Sequence, residues 1–281
     1  CGAAGMLAAA LPLAGAEGGL PSAVAVPLVV GSLPACPLMA STPAACLRVP
    51  ERAGATLSPL VFITGASSGI GLAVARALMF DGYEVLGLSR TRPPIREGGF
   101  IWVRGDVAEP STGQALAALL DGQSLEALVQ CVGTQAPVGV FEDVDADAWE
   151  HAICVNLLGT ARVVRAALPA LKRADDSRVL LMAGGGAFNP RPQFSAYATS
   201  KAGVVSLMET LAAELAGRVA VNCVSPGCVP TPIHAPLAAA GMAVPEDDGG
   251  ASMRRAVDCI RHLLGPEARG LTGKSVSAVH D

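Results

Sequence analysis

The sequence predicts an α/β fold: a single Rossmann-type doubly wound parallel sheet with helices on both faces. Three observations lead there. Short apolar runs of strand length recur along the chain, helical stretches separate most of them, and the first run passes through a glycine-rich turn into a helix. Strands that are apolar on both faces belong to a parallel sheet covered by crossover helices.

The 281-residue chain opens on a stretch unlike the rest. From Cys1 to Leu47 there is no Lys or Arg, and Glu17 is the only ionisable side chain besides cysteines. A signal peptide needs a basic start, which is missing. Pro12, Pro21, Pro27, Pro34 and Pro37 interrupt every candidate spanning helix of ~20 residues. Residues 1–58 are therefore expected to be a poorly ordered leader, or to be translated from upstream of the true start, with Met39 an alternative initiator. The folded domain is expected over residues 59–281, with no membrane partner.

Leu60–Ile63 reads as the first strand, and Leu72–Leu78 has helical periodicity. Further strands are expected at Glu84–Leu88, Ile101–Arg104, Ala127–Cys131, Val179–Met182 and Ala220–Val224. Helices are expected at Thr112–Leu120, Ala146–Ala170 and Ala196–Leu215. The formal net charge of -4 gives no basic footprint for nucleic acid, so small-molecule chemistry is the expectation. Eight cysteines include no C-x-x-C, and the four histidines are scattered, so no metal site is expected. Cys131, Cys154 and Cys223 sit in apolar runs and read as core residues of a reducing cytoplasm.

Gly65, Gly69 and Gly71 follow the spacing G-x-x-x-G-x-G at the end of the first strand. Such a turn lets backbone approach a pyrophosphate, and the next helix presents its unpaired N–H groups to the anion. Ser89 and Arg90 close the second strand, eighteen and nineteen residues after Gly71. An acidic residue there would bind the ribose 2′-hydroxyl of NAD, whereas a neutral serine followed by arginine suits the 2′-phosphate of NADP. NADP(H) is thus expected over NAD(H), with Arg92 a second candidate contact.

Tyr197 and Lys201 are four residues apart, hence on one helix face, so the ammonium can stand beside the phenol. A cation there is expected to lower the phenol from ~10 and make it an acid or base at neutral pH.

Taken in order, these motifs resemble those of the short-chain dehydrogenase/reductase family, over roughly residues 60–279. The resemblance implies cofactor contacts at Gly65, Ser67, Ser68, Gly69, Ile70 and Gly71. It adds Asp106 and Val107 at the adenine and Gly133 in Gln130-Cys131-Val132-Gly133, where the family usually shows N-N-A-G. Pro226, Gly227, Val229 and Thr231 would meet the nicotinamide carboxamide. Tyr197, Lys201 and Asn156 would be catalytic, Asn156 by perturbing its helix and holding a water that connects to Lys201. Leu271–Lys274 would be the closing strand, and Val276–Asp281 a tail that adds to the sheet or to a subunit contact. The implied function is NADP(H)-dependent interconversion of a carbonyl and an alcohol by a cytoplasmic homo-oligomer.

One family member is missing. The serine expected thirteen residues before Tyr197 is Gly184, flanked by Ala183, Gly185, Gly186 and Ala187, and Ser195 is too near Tyr197 to replace it. Weak activity is expected; Gly184→Ser, or Ala183→Ser if the spacing slips by one, is expected to raise turnover unless the glycine run makes room for a bulky substrate, and the alternative is a catalytically impaired nucleotide-binding protein. His234 reads as a loop side chain.

Overall fold

In the computed structural model, residues 58–280 are described. The leader expected over residues 1–58 lies outside them except for Ser58. Seven strands form one parallel sheet in the order β3-β2-β1-β4-β5-β6-β7. They are β1 (Leu60–Thr64), β2 (Glu84–Ser89), β3 (Phe100–Arg104), β4 (Ala127–Gln130), β5 (Ser177–Met182), β6 (Val219–Ser225) and β7 (Ser275–Ser277). Strand order reverses between β1 and β4, so the loops at their carboxyl ends part there and leave a crevice.

All residues of β1 and β4 are buried, because helices cover both faces. On one face, α2 (Pro110–Leu119), α4 (Gly159–Leu171) and α5 (Ser195–Glu214) cover a core that includes Phe62, Leu128, Leu181 and Met208. On the other, α1 (Gly69–Phe80) and α7 (Ala251–Leu264) cover Val61, Ile63, Val129 and Ile260. The short α6 (Ala235–Ala239) packs Leu237 against Phe194 and Tyr197 in a separate cluster.

Three expectations change. The helix read over Ala146–Ala170 is α3 (Ala146–Ile153) and α4 joined by a π turn, Cys154–Leu158, which holds Asn156. The closing strand is Ser275–Ser277, not Leu271–Lys274: Gly273 adopts φ +68°, and Asn222 binds Leu271 O and Lys274 N through its side chain. The helix Ala251–Leu264 escaped the sequence reading, although Ala256, Ile260 and Leu263 mark a buried face at helical spacing.

Candidate active site

The carboxyl ends of the strands enclose a cleft of about 570 Å³. All seventeen residues expected around a cofactor line it: the glycine turn with Ser67, Ser68 and Ile70, then Ser89, Arg90, Asp106, Val107, Gly133, Tyr197, Lys201, Pro226, Gly227, Val229 and Thr231. Asn156 does not line it; it is fully buried behind.

The glycine turn is fixed by contact as much as by torsion. Gly65 sits at φ +71°, and a Cβ on Gly71 would overlap the carbonyl oxygen of Gly65. Helix α1 begins at Gly69 with no side chain capping it, and its first backbone bond is Leu72 N–H to Ser68 O. The N–H groups of Gly69, Ile70 and Gly71 are left for a ligand. Such a set fits a pyrophosphate.

At the β2 end, the Ser89 hydroxyl donates to Thr91 O (2.7 Å) and accepts from Trp102 Nε1 (3.1 Å). Ser89 therefore shapes the turn, and Arg90 is the polar arm that reaches past it. Arg90 is largely exposed, with Nη1 3.8 Å from Asp106 Oδ2. Arg92 instead lies over Trp102, 5.8 Å from the ring centroid.

Where the family shows N-N-A-G, Gln130 does the structural work. Its Oε1 accepts from Thr64 Oγ1 (3.0 Å) and Val132 N (2.8 Å), and its Nε2 donates to Thr160 Oγ1 (2.6 Å). Thr160 Oγ1 in turn donates to Asn156 O at 2.7 Å, taking up a carbonyl that the π turn leaves available. The Asn156 amide accepts from Thr134 N and donates to Thr134 O and Ser200 Oγ, at 2.8–2.9 Å. Both amide hydrogens are thereby used, so the side chain clasps the loop after β4.

Tyr197 and Lys201 share a face of α5, but the lysine does not act on the phenol as expected. Lys201 Nζ lies 5.8 Å from the Tyr197 ring centroid and donates to Met182 O at 2.7 Å. Burial pulls Lys201 down to about 8. The neighbouring thiols, Cys131 and Cys223, are pushed up to about 12 by burial and stay neutral, so they give it no counter-ion. Burial also raises the Tyr197 phenol, against a smaller lowering by Arg191. The phenol is a proton donor at neutral pH. Its hydroxyl makes no hydrogen bond among the described residues, leaving it for a substrate oxygen.

Gly184 also reads differently in three dimensions. A Cβ there would overlap the Tyr197 hydroxyl, so the glycine makes room for the phenol. A serine at Gly184 would therefore have to move the phenol before it could add a donor. Ser195 is occupied too, accepting from Trp149 Nε1 at 3.0 Å.

Three side chains in this region had no assigned role in the sequence reading: Gln135 and His151 line the cleft, and Arg191 hydrogen-bonds Gln135. His234 closes a 3₁₀ turn, Pro232–His234, and faces the cleft as well. Gln135, Arg191 and His234 lie in loops and turns outside any motif, and His151 lies in α3 outside any motif, so none of them gave a signal.

Residues 59–240 match the short chain dehydrogenase family model. The chain belongs to that family. It is 30% identical over 185 residues to human dehydrogenase/reductase SDR family member 4, a match covering 61% of this chain and 66% of that protein. The chain thus spans just under two thirds of that relative. A short chain dehydrogenase from Salmonella enterica serovar Typhi superposes with TM-score 0.70 at 23% identity, covering 79% of this chain and 96% of that one. One from Shigella flexneri, solved as a complex with NADP, superposes with TM-score 0.65 at 22% identity, covering 79% and 98%. Both likenesses show the fold of short chain dehydrogenases.

Proposed function

We propose that the protein is an NADP(H)-dependent oxidoreductase interconverting a carbonyl and an alcohol, with Tyr197 as the acid. The observation that carries this is the unpartnered, protonated Tyr197 hydroxyl in the cleft headed by the glycine turn. The nucleotide supplies hydride chemistry when bound. The Gly69–Gly71 N–H groups would hold its pyrophosphate, and Asp106 and Val107 its adenine end. Tyr197 donates a proton to the substrate oxygen as carbon is reduced, and takes it back in the reverse direction. Lys201, buried and cationic below about pH 8, would bind the nicotinamide ribose. Asn156 would act as a positioning residue, fixing Thr134 beside the cleft.

The preference for NADP(H) rests on Arg90 lining the cleft and on the lack of a carboxylate at Ser89. A Shigella relative bound NADP, which accords with this. Arg90→Ala is expected to weaken NADPH binding about tenfold and leave NADH binding unchanged, since an exposed charge-assisted contact contributes about 1–1.5 kcal/mol. Nucleotide fluorescence titration checks this; an unchanged NADPH-to-NADH ratio contradicts it.

A second reading, a catalytically impaired nucleotide-binding protein, is favoured by the Ala183–Ala187 run, which offers no hydroxyl at the end of β5. NADPH binding without consumption over a carbonyl panel would select it. The thiols of Cys131 and Cys223, packed in or against the core, support a cytoplasmic setting, and exposed Phe141 and Leu158 support assembly as a homo-oligomer.

A further inference from the structure

Arg191 is a cation that the chemistry above leaves unused. It lies in the loop between β5 and α5, with its guanidinium carbon 3.9 Å from the Phe194 ring centroid and 5.3 Å from that of Tyr197. Its Nη2 donates to Gln135 Oε1 at 3.3 Å, and both Gln135 and Tyr197 line the cleft. Two ring faces and one amide hold the guanidinium in place without neutralising it. No carboxylate pairs with it among the described residues, whereas Arg178, Arg261 and Arg269 each have an aspartate partner.

A second polar group in the same region is also unsatisfied. His234 Nε2 sits 3.1 Å from Val229 O, and Nδ1 is buried with no hydrogen-bond partner. Burial, with a further contribution from Arg191, lowers His234, so the ring is neutral near pH 7 and Nδ1 is an acceptor when Nε2 donates to Val229. The apolar side of the region is Phe194 and Leu237, with Val138 and Met242 packed against them. A held, uncompensated cation therefore stands over the ring of Tyr197 in a small apolar setting. Its natural complement is an anion with a planar, two-oxygen face.

We infer that the substrate is an oxo acid, or the corresponding hydroxy acid, whose carboxylate pairs with Arg191 while its carbonyl or hydroxyl meets Tyr197. This rests on the reading of Tyr197 as the acid. In reduction, hydride from NADPH forms the new C–H bond as the carbonyl π bond breaks. The oxygen takes its proton from Tyr197, the nucleotide leaves oxidised, and the phenolate regains a proton from solvent. Arg191 binds an end of the substrate that does not react, and so sets specificity.

The test compares pyruvate, acetoacetate and levulinate with their methyl esters, using the full chain, Arg191→Ala and Arg191→Lys. Equal NADPH affinity in all three proteins establishes that the variants are folded. At least one acid is expected to show a KM tenfold or more below that of its ester in wild type. Arg191→Ala should erase the difference by raising the KM of the acid alone, and Arg191→Lys should keep part of it. Esters that serve as well as acids, or an acid preference surviving in Arg191→Ala, would overturn the inference. The same acids are titrated against the fluorescence of bound NADPH. An acid-dependent change lost in Arg191→Ala, with no turnover of any carbonyl, would uphold the anion site and sink the reductase reading. No acid-dependent change in wild type and no acid preference would sink the inference even if neutral ketones are reduced.

Discussion

At its nucleotide end the cleft is walled by main chain and glycine, whereas at its substrate end it is walled by side chains from helix α5 and from loops. Gly65, Gly69 and Gly71 act through the absence of a side chain: a tight turn, a close approach, a set of unpaired N–H groups. Tyr197, Arg191, Gln135 and His234 act through contacts that depend on how separate loops pack. Backbone chemistry is common to any dinucleotide, so it can recur across many substrates. Side-chain chemistry decides which substrate is accepted.

The largest effect is expected where the backbone end has least slack. Gly71→Ala forces a Cβ into the Gly65 carbonyl, so the turn must open. A loss of about 2–4 kcal/mol in stability and of measurable NADPH binding is expected. Denaturant melts with nucleotide titration check it, and a variant that still binds NADPH normally would remove the distinction between the two ends.

At the side-chain end, Gly184→Ser displaces the Tyr197 hydroxyl instead of assisting it. Turnover is expected to fall by about 10²-fold, the scale of a lost proton donor, while NADPH affinity stays unchanged. Steady-state kinetics alongside binding decide this, and a faster variant would show that the phenol can yield.

A smaller effect concerns Lys201, whose folded value of about 8 lies below its ordinary 10.5. Below pH 8 the folded state holds a buried charge at a cost of about 3 kcal/mol. Between 8 and 10.5 the unfolded state binds more protons, so this cost fades and stability rises with pH. Lys201→Met is therefore expected to stabilise the protein by about 2 kcal/mol at pH 7, after losing the bond to Met182 O, and by much less near pH 10. Melts at the two pH values check the sign; equal gains at both would contradict it.

The same contrast explains what the sequence disclosed. The glycine turn, the strands through β6 and the Tyr197–Lys201 spacing are local patterns, and local patterns survive in one dimension. The clasp of Asn156 on Thr134, the Gln130 bridge to Thr160 and the overlap of Gly184 with Tyr197 join residues 13 to 30 positions apart. Chain spacing carries no geometry at that range. The phenol's titration was misjudged for a related reason. Adjacency on a helix is legible, but burial is a property of the assembled core, and at Tyr197 it outweighs the lowering by Arg191.

The most direct test of the central claim is NADPH consumption over a carbonyl panel by wild type and Tyr197→Phe, with NADPH binding measured on the same samples. The account predicts equal binding and consumption only by wild type, the variant losing about 10²–10⁴-fold in rate. Equal consumption by both proteins, or no binding by wild type, would contradict it.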